Sequence, residues 1–251
     1  MNTSARRLVR PYGPDERQVV EWFLPENTIG VPWIVIVHGG FWRPKYSRHL
    51  EDGVANDLAN HGFAVSNIEY RDYDQPWPSI YDDVARAIDM SVEQARRYQL
   101  NTAASAILGH SAGGALALWA VSGGVPHAFS VAIASAPVAC LSLASSANLG
   151  DGAVDHMMGG SPADVVDRYA QCDPSLLTPD PNTDIVLLHG DADVDVPLEQ
   201  SQGYVDVLAA KGVATQLFIM PGDDHYAILN PSSLASRKRL EILKDRLNPG
   251  S

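Results

Sequence analysis

The sequence predicts an α/β fold built on a mostly parallel central sheet with helices on both faces. Short apolar runs alternate along the 251 residues with amphipathic helical stretches, which is the order that such a layered fold requires. The predicted strands are very apolar, as is typical of strands buried on both faces. The length and the 45% of hydrophobic residues fit one compact unit, so we predict a single domain over 1–251.

Local signals predict each element in chain order. Apolar runs predict strands, the first of them at a sheet edge, at 17–24, 33–38, 63–69, 129–135, 184–189 and 215–220. Apolar residues at helical spacing predict helices at 48–61, 79–98, 197–211 and 233–246. A central strand and the helix that follows it are predicted over 103–122. Ser79 and Asp82 have the spacing of a capping box, and Gly212 is predicted to cap the helix before it.

One long stretch, from about 137 to 180, breaks the alternation. It is rich in glycine and contains the pair Met157-Met158 and two mixed segments, at 137–145 and 163–170. Loops of this length are uncommon in compact domains unless they are functional, so we predict a small cap insertion at 137–180. A plain surface excursion is the alternative. A cap that closes over a site excludes water and strengthens the electrostatic interactions beneath it.

A sharp turn is predicted between the central strand and its helix. The pentad Gly109-His110-Ser111-Ala112-Gly113 follows the apolar run 104–108 and opens a helix of small residues. A serine at such a turn is held in a strained conformation that exposes its hydroxyl, and flanking glycines avoid collisions with the neighbouring strand and helix. Ser111 is therefore the candidate nucleophile. A serine hydroxyl also needs a histidine base, an acid that orients this histidine, and amide donors for the oxyanion.

Candidates for the acid and the base follow later strands. Three carboxylates come after the strand at 184–189, and we favour Asp193, because a side chain a few residues past a strand still reaches over the sheet edge. Asp191 is the main rival and Asp195 the third; at least two of the three are expected to be turn-forming or capping residues. His225, directly after the strand at 215–220, is the candidate base.

A candidate oxyanion hole follows the strand at 33–38. There a His-Gly-Gly turn, with Gly39 and Gly40, leads into Phe41 and Trp42. Because glycines carry no side chain, backbone N–H groups at such a turn approach a developing negative charge closely. We assign the donors to the amide of Ala112 and to the loop at Gly39 and Gly40, with Phe41 as a further candidate.

Together these motifs resemble the HGG-containing esterases and lipases of the α/β-hydrolase superfamily. The chain order Ser111, Asp193, His225 is that of the α/β-hydrolase fold. The H-G-G-x-W form at 38–42 most resembles kynurenine formamidases (arylformamidases) and their bacterial esterase relatives. The resemblance runs from about Val20 to Leu247. It implies that Ser111 is the nucleophile, Asp193 the orienting acid, His225 the base and 38–42 the oxyanion loop.

Aromatic residues flank these motifs. Phe41 and Trp42 lie beside the oxyanion loop, and Tyr226 follows the candidate base. Open α/β sheets bind ligands outside the carboxyl ends of their strands, where these residues are expected, so we predict that all three line a substrate pocket. For each ring taken singly, a place in the core is the alternative.

Composition narrows the function classes. A formal net charge of −12 argues against nucleic acid and anionic membranes as partners. No apolar run approaches the length of a membrane span, and the positively charged N-terminus lacks the apolar region of a secretory signal, so a cytoplasmic location is the expectation.

Cys140 and Cys172 are expected to be free thiols. The eight scattered histidines show no metal-like spacing, so we predict neither metal nor cofactor. The sequence does not predict the oligomeric state.

The predicted function is that of a serine hydrolase that cleaves a small carboxylic ester or activated amide through an acyl-enzyme. One alternative is an arylformamidase acting on N-formylkynurenine. An alternative from another class is a non-catalytic protein that binds a small molecule on a hydrolase scaffold. Every catalytic position holds a competent residue type, which favours the enzyme.

Overall fold

The computed structural model describes residues 5–247, and within them eight strands form one sheet in the order β1-β2-β4-β3-β5-β6-β7-β8. The predicted domain, 1–251, extends beyond the described residues at both ends. The first residues of the positively charged N-terminus also lie outside them. Strand β2 is antiparallel to both its neighbours, and the remaining pairs are parallel. The strands are β1 Arg6–Pro11, β2 Val19–Leu24, β3 Pro32–Val37, β4 Ala64–Ile68, β5 Asn101–His110, β6 Val131–Ser135, β7 Asp184–Gly190 and β8 Thr215–Met220.

Helices cover both faces of the sheet because the central strands are apolar on both sides. Along β3, Trp33, Val35 and Val37 belong to one buried cluster, and Ile34 and Ile36 to the other. The first cluster is covered by α2 (Ser79–Arg97), α3 (Ala112–Trp119) and α7 (Glu199–Ala210). The second is covered by α1 (Asp52–Asn60) and α8 (Leu234–Leu247). Among the described residues, no helix combines the length and the apolar character that crossing a membrane requires.

This architecture is the predicted α/β-hydrolase fold, and most predicted elements agree with it to within a few residues. The helix predicted at 48–61 begins as a 3-10 turn, Arg48–Glu51, before α1. Gly212 follows α7 with a φ of 74°, as a C-terminal cap requires. The predicted capping box at Ser79 is wrong, because the N-cap is Pro78 and no side chain caps the helix.

The sequence did not predict β1. The prediction that the strand at 17–24 lies at a sheet edge is therefore wrong, because β2 pairs with β1 on one side and with β4 on the other. Three of its six residues are arginine or proline at exposed positions, so it carries no apolar run, and it pairs with β2 alone. Antiparallel backbone pairing at a sheet edge, rather than burial, therefore defines this strand.

The segment predicted as a cap contains three short helices, α4 Leu141–Ser146, α5 Ala153–Met158 and α6 Val166–Cys172. The segments predicted at 137–145 and 163–170 overlap α4 and α6, whereas α5 was not predicted. Met157 and Met158 of α5 are buried in the cluster that α2 and α3 cover. The buried Asp173, which follows α6, links this end of the segment to the start of α4. Its carboxylate accepts hydrogen bonds from the backbone N–H groups of Leu141 and Ser142.

Candidate active site

Ser111 occupies the turn between β5 and α3. Its backbone has φ 57° and ψ −121°, a conformation that costs a non-glycine residue on the order of 1–3 kcal/mol. The whole residue is only 1% exposed. A strand that ends in such a strained serine and continues as a helix is the geometry predicted from the Gly109–Gly113 pentad.

The glycines around Ser111 let three pieces of backbone pack together. A Cβ atom on Gly109 would lie 2.2 Å from the carbonyl oxygen of Gly113, and one on Gly113 would lie 2.1 Å from that of Val37. A Cβ on Gly114 would meet Pro137, at the start of the predicted cap, at 2.7 Å. The predicted reason for the glycines, steric collision with the neighbouring strand and helix, is confirmed.

The structure brings His225 and Asp193 together. The Nδ1–H of His225 donates to Oδ2 of Asp193 over 2.7 Å, and both side chains are buried. Because a carboxylate oxygen accepts, Nδ1 must carry the proton, so in the neutral ring Nε2 holds the free lone pair. His225 also lies against the residue before Ser111: Nε2–H of His110 donates to the carbonyl oxygen of His225 over 2.9 Å, and the two rings are 4.7 Å apart.

Several donors hold the Asp193 carboxylate ionised. Oδ1 accepts from the backbone N–H groups of Asp195 and Val196, and the ring Nε2 of buried His189 lies 3.4 Å from Oδ2. Burial opposes ionisation, but the nearby ring of His189 and the hydrogen bonds from His225 and the Val196 N–H outweigh it and keep the pKa of Asp193 well below its usual range.

The two rival carboxylates lie elsewhere. The exposed Asp191 accepts the backbone N–H of Gly222 over 2.7 Å and so ties the loop after β7 to the loop after β8. Asp195 contributes its backbone N–H to Asp193. Of the three candidates, Asp193 is the one whose carboxylate contacts His225.

The loop after β3 lies against Ser111. A Cβ on Gly39 would lie 2.8 Å from the carbonyl oxygen of His110 and 3.0 Å from Cβ of Ser111, so only glycine permits this approach. Gly40 has a φ of 113°, and Phe41 and Trp42 continue at 51° and 56°. Within residues 5–247, the N–H groups of Gly39, Gly40 and Ala112 have no acceptor in the protein. All three predicted donors are thus unengaged.

A buried polar cluster that sequence reasoning missed supports this loop. His38 donates from Nδ1 to the carbonyl oxygen of Gly39 over 2.8 Å, and its Nε2 lies 2.9 Å from Oε1 of Glu69. The ring of Tyr70 stacks on that of His38 at 4.2 Å, and the Tyr70 hydroxyl donates to the carbonyl oxygen of His38. The sequence feature that could have indicated this cluster is Glu69, an acidic residue that directly follows the buried strand β4.

The three residues predicted to line a substrate pocket have different surroundings. Trp42 is 1% exposed and belongs to the large core cluster, so its place in the fold is explained by packing. Phe41 is partly buried, and Tyr226 is 52% exposed with its ring 5.2 Å from that of His225. Phe41 and Tyr226 are therefore the two that present accessible surface beside the candidate site.

The predicted cap segment contacts the oxyanion loop. A Cβ on Gly150 would lie 2.6 Å from the ring of Phe41, and the Arg43 guanidinium donates to the carbonyl oxygen of Gly150. Further along the segment, His156 stacks on Tyr73 at 4.1 Å, in the loop that follows β4. The segment thus adjoins the loops after β3 and β4.

One group of possible metal ligands occurs among the described residues, formed by Glu21, His49 and Asp52. Its carboxylates already bind cations, because Arg7 contacts both Glu21 and Asp52 and Arg48 contacts Glu21. The hydrogen bonds and ion pairs of these three residues in the described part of the chain do not involve Ser111, His225 or Asp193.

A family model named BD-FAE matches residues 21–208, which is most of the chain and includes Ser111 and Asp193. The chain belongs to the BD-FAE family. None of the curated proteins matches this BD-FAE chain. The formamidase resemblance that rests on Trp42 stays a prediction, since the family found is BD-FAE.

Solved structures similar to this BD-FAE protein share its fold at low sequence identity. A truncated carbohydrate esterase from gut microbiota is 20% identical, with a TM-score of 0.87 and 98% of each chain covered. Esterase B from Lactobacillus rhamnosis is 19% identical, with a TM-score of 0.81 over 97% of this chain and 85% of that one. An acetyl ester-xyloside bifunctional hydrolase from Caldicellulosiruptor lactoaceticus is 19% identical, with a TM-score of 0.78 and both chains fully covered.

Proposed function

We propose that this protein is a serine carboxylesterase that cleaves small acyl esters through an acyl-enzyme. The observation that carries the proposal is the 2.7 Å hydrogen bond from His225 to Asp193, formed beside the strained turn that presents Ser111. Nucleophile, base and orienting acid are the three groups that acyl transfer by serine requires. Two of the three similar structures described are named esterases and the third an acetyl ester-xyloside bifunctional hydrolase, and these names support the same chemistry.

The reaction follows from the protonation states. Ser111 Oγ attacks the ester carbonyl carbon while its proton moves to Nε2 of His225, and the carbonyl π electrons become an oxyanion that accepts from Gly40 and Ala112. Collapse of this intermediate breaks the bond to the alcohol, which takes the proton from His225. Water, activated by the same histidine, then attacks the acyl-enzyme, which releases the acid and restores Ser111.

The ionised Asp193 makes His225 an effective base. When the imidazole takes the proton of Ser111 it becomes a cation, and a carboxylate 2.7 Å from Nδ1 stabilises that charge. A carboxylate that holds Nδ1–H also fixes which nitrogen faces the nucleophile.

The proposed substrates are short acyl esters, with acetylated carbohydrates as the first class to test. This choice is supported by the similar structures, one named as a carbohydrate esterase and another as an acetyl ester-xyloside hydrolase.

We further propose that residues 137–180 form a cap that shapes the acyl or alcohol pocket, because Gly150 packs on Phe41 beside the oxyanion loop. Cys140 and Cys172 are both free, which supports a cytoplasmic location.

The first experiment measures hydrolysis of p-nitrophenyl acetate, butyrate and octanoate, an acetylated xyloside and N-formylkynurenine. Ser111→Ala is expected to lower kcat by about 10⁶-fold without unfolding the protein. Ser122→Ala, which removes a hydroxyl that donates to the carbonyl oxygen of Leu118, is the matched control and should retain activity. Turnover of the esters by Ser111→Ala at the wild-type rate would refute the serine mechanism.

The same series separates the alternatives. Preference for N-formylkynurenine over every ester would establish the arylformamidase instead. Labelling of Ser111 by a fluorophosphonate distinguishes an enzyme with an untested substrate from a binding protein, which would not react.

A further inference from the structure

Two oxygen atoms that can only accept hydrogen bonds flank the ring of His38. Nδ1 lies 2.8 Å from the carbonyl oxygen of Gly39, and Nε2 lies 2.9 Å from Oε1 of Glu69. The residue is 1% exposed, so water cannot replace either partner. A neutral imidazole carries one N–H and one lone pair, and its lone pair would have to face one of these oxygens.

Glu69 is ionised, so it cannot supply the missing proton. Its Oε1 accepts from Arg17 Nη2 over 3.0 Å, and its Oε2 accepts from the backbone N–H of Arg48 over 2.9 Å. The guanidinium groups of Arg17 and Arg48 lie 3.0 and 3.6 Å from its two oxygens, so the carboxylate has cationic partners that do not depend on His38. Both nitrogens of His38 must therefore donate.

We infer that His38 is a buried imidazolium that strengthens the oxyanion hole by polarising the peptide bond between Gly39 and Gly40. This inference rests on the proposed function, because it assigns His38 and Glu69 as positioning residues for that reaction. The carbonyl oxygen of Gly39 and the N–H of Gly40 belong to one peptide unit. A charged donor on the oxygen draws electron density through the amide, which makes the N–H a stronger donor.

The surroundings suit a cation in this place. The Tyr70 ring lies parallel to the His38 ring, 4.2 Å away with 8° between the planes, so an aromatic face covers the charge. The charged groups that contact the pair are Arg17 and Arg48, both bound to Glu69, and each of them also contacts a second carboxylate, Asp72 and Glu21 respectively. Burial raises the pKa of Tyr70 well above its usual value, so this neighbour stays neutral.

The first test reads the protonation state directly and does not depend on activity. Nitrogen-15 NMR of the full chain with labelled histidine, assigned with His38→Gln, is expected to show both ring nitrogens of His38 protonated at pH 7. One unprotonated ring nitrogen at pH 7 would overturn the inference, whether or not the protein hydrolyses esters. If the wild-type protein shows the imidazolium signal but hydrolyses none of the esters, the proposed function is contradicted and the inference about His38 is not.

The second test measures the coupling to the reaction. Glu69→Gln removes the carboxylate charge and offers an amide N–H₂ in its place, so the same NMR measurement at pH 7 is expected to show one unprotonated ring nitrogen of His38. The acylation rate should then fall about tenfold with KM within about twofold, which corresponds to about 1.4 kcal/mol of transition-state stabilisation. Glu21→Gln is the matched control, because Glu21 binds the same Arg48 but does not contact His38. An unchanged acylation rate in a folded Glu69→Gln protein, or an equal loss in Glu21→Gln, would overturn the coupling.

Discussion

Replacing Glu51 with glutamine is expected to stabilise the fold at neutral and higher pH. Glu51 ends the 3-10 turn before α1 and is 2% exposed. It faces a cavity of about 10 Å³ that His110 and Arg239 of α8 also line, and its Oε1 lies 3.9 Å from Nδ1 of His110. Burial raises the pKa of Glu51 to about 7, although the charge of Arg239 acts in the opposite direction. Ionising Glu51 in the folded protein is therefore unfavourable.

The pKa shift sets the size and the pH range of the effect. In the unfolded chain Glu51 loses its proton near its usual pKa of 4.5, whereas the folded protein keeps it until about pH 7. Between these values the folded state holds the Glu51 proton more tightly, so the contribution of Glu51 to stability is greatest below pH 4.5 and falls as pH rises through 7. The shift corresponds to a loss of about 3 kcal/mol above pH 7. Glutamine has the shape of the protonated acid and avoids this loss.

Urea unfolding at a series of pH values from 4.5 to 8.5 tests the prediction. Glu51→Gln should match the wild type near pH 4.5 and exceed it by about 3 kcal/mol at pH 8.5. Burial lowers the pKa of His110 to about 3, so both proteins lose stability as pH falls below the usual histidine value, and their difference is the quantity to compare. Glu93→Gln, which replaces an exposed carboxylate, is the control. A difference that does not change with pH would refute the reasoning.

Two further predictions concern the site and its scaffold. Asp193→Asn is expected to lower kcat by about 10⁴-fold, because an amide no longer fixes the His225 tautomer. The control Asp191→Asn should keep kcat within about twofold of the wild type. Wild-type activity in Asp193→Asn would contradict the assignment of Asp193 as the orienting acid. Gly113→Ala should destabilise the fold by about 3 kcal/mol or more in urea unfolding, because its Cβ would lie 2.1 Å from the carbonyl oxygen of Val37, and wild-type stability would refute this close packing.

Most of the fold could be predicted because its signals are local. A run such as Ile34–Val37 is apolar on both sides, which already requires a strand covered by helices on both faces. Gly212 marks a helix end because its backbone needs a positive φ. Strand β1 and helix α5 could not be predicted in the same way. The first depends on backbone pairing at an edge, and the second on a core that other segments complete.

The sequence by itself also determined the candidate nucleophile and the loops that surround it. The Gly109–Gly113 pentad requires a tight turn, and the chemistry of a serine nucleophile requires a histidine and an acid after later strands. Because the carboxyl ends of parallel strands meet at one sheet edge, chain order alone brings these loops into one region.

Only the tertiary structure decided which side chains within those loops pair. Asp191, Asp193 and Asp195 all lie within five residues of the end of β7, and the fold turns one of them, Asp193, toward His225. Trp42 lies in the core although its motif predicted a pocket residue, and Glu69 lies under His38 although no motif linked them. Such pairings depend on side-chain directions at positions far apart in sequence, and a local pattern of residue types carries no information about those directions.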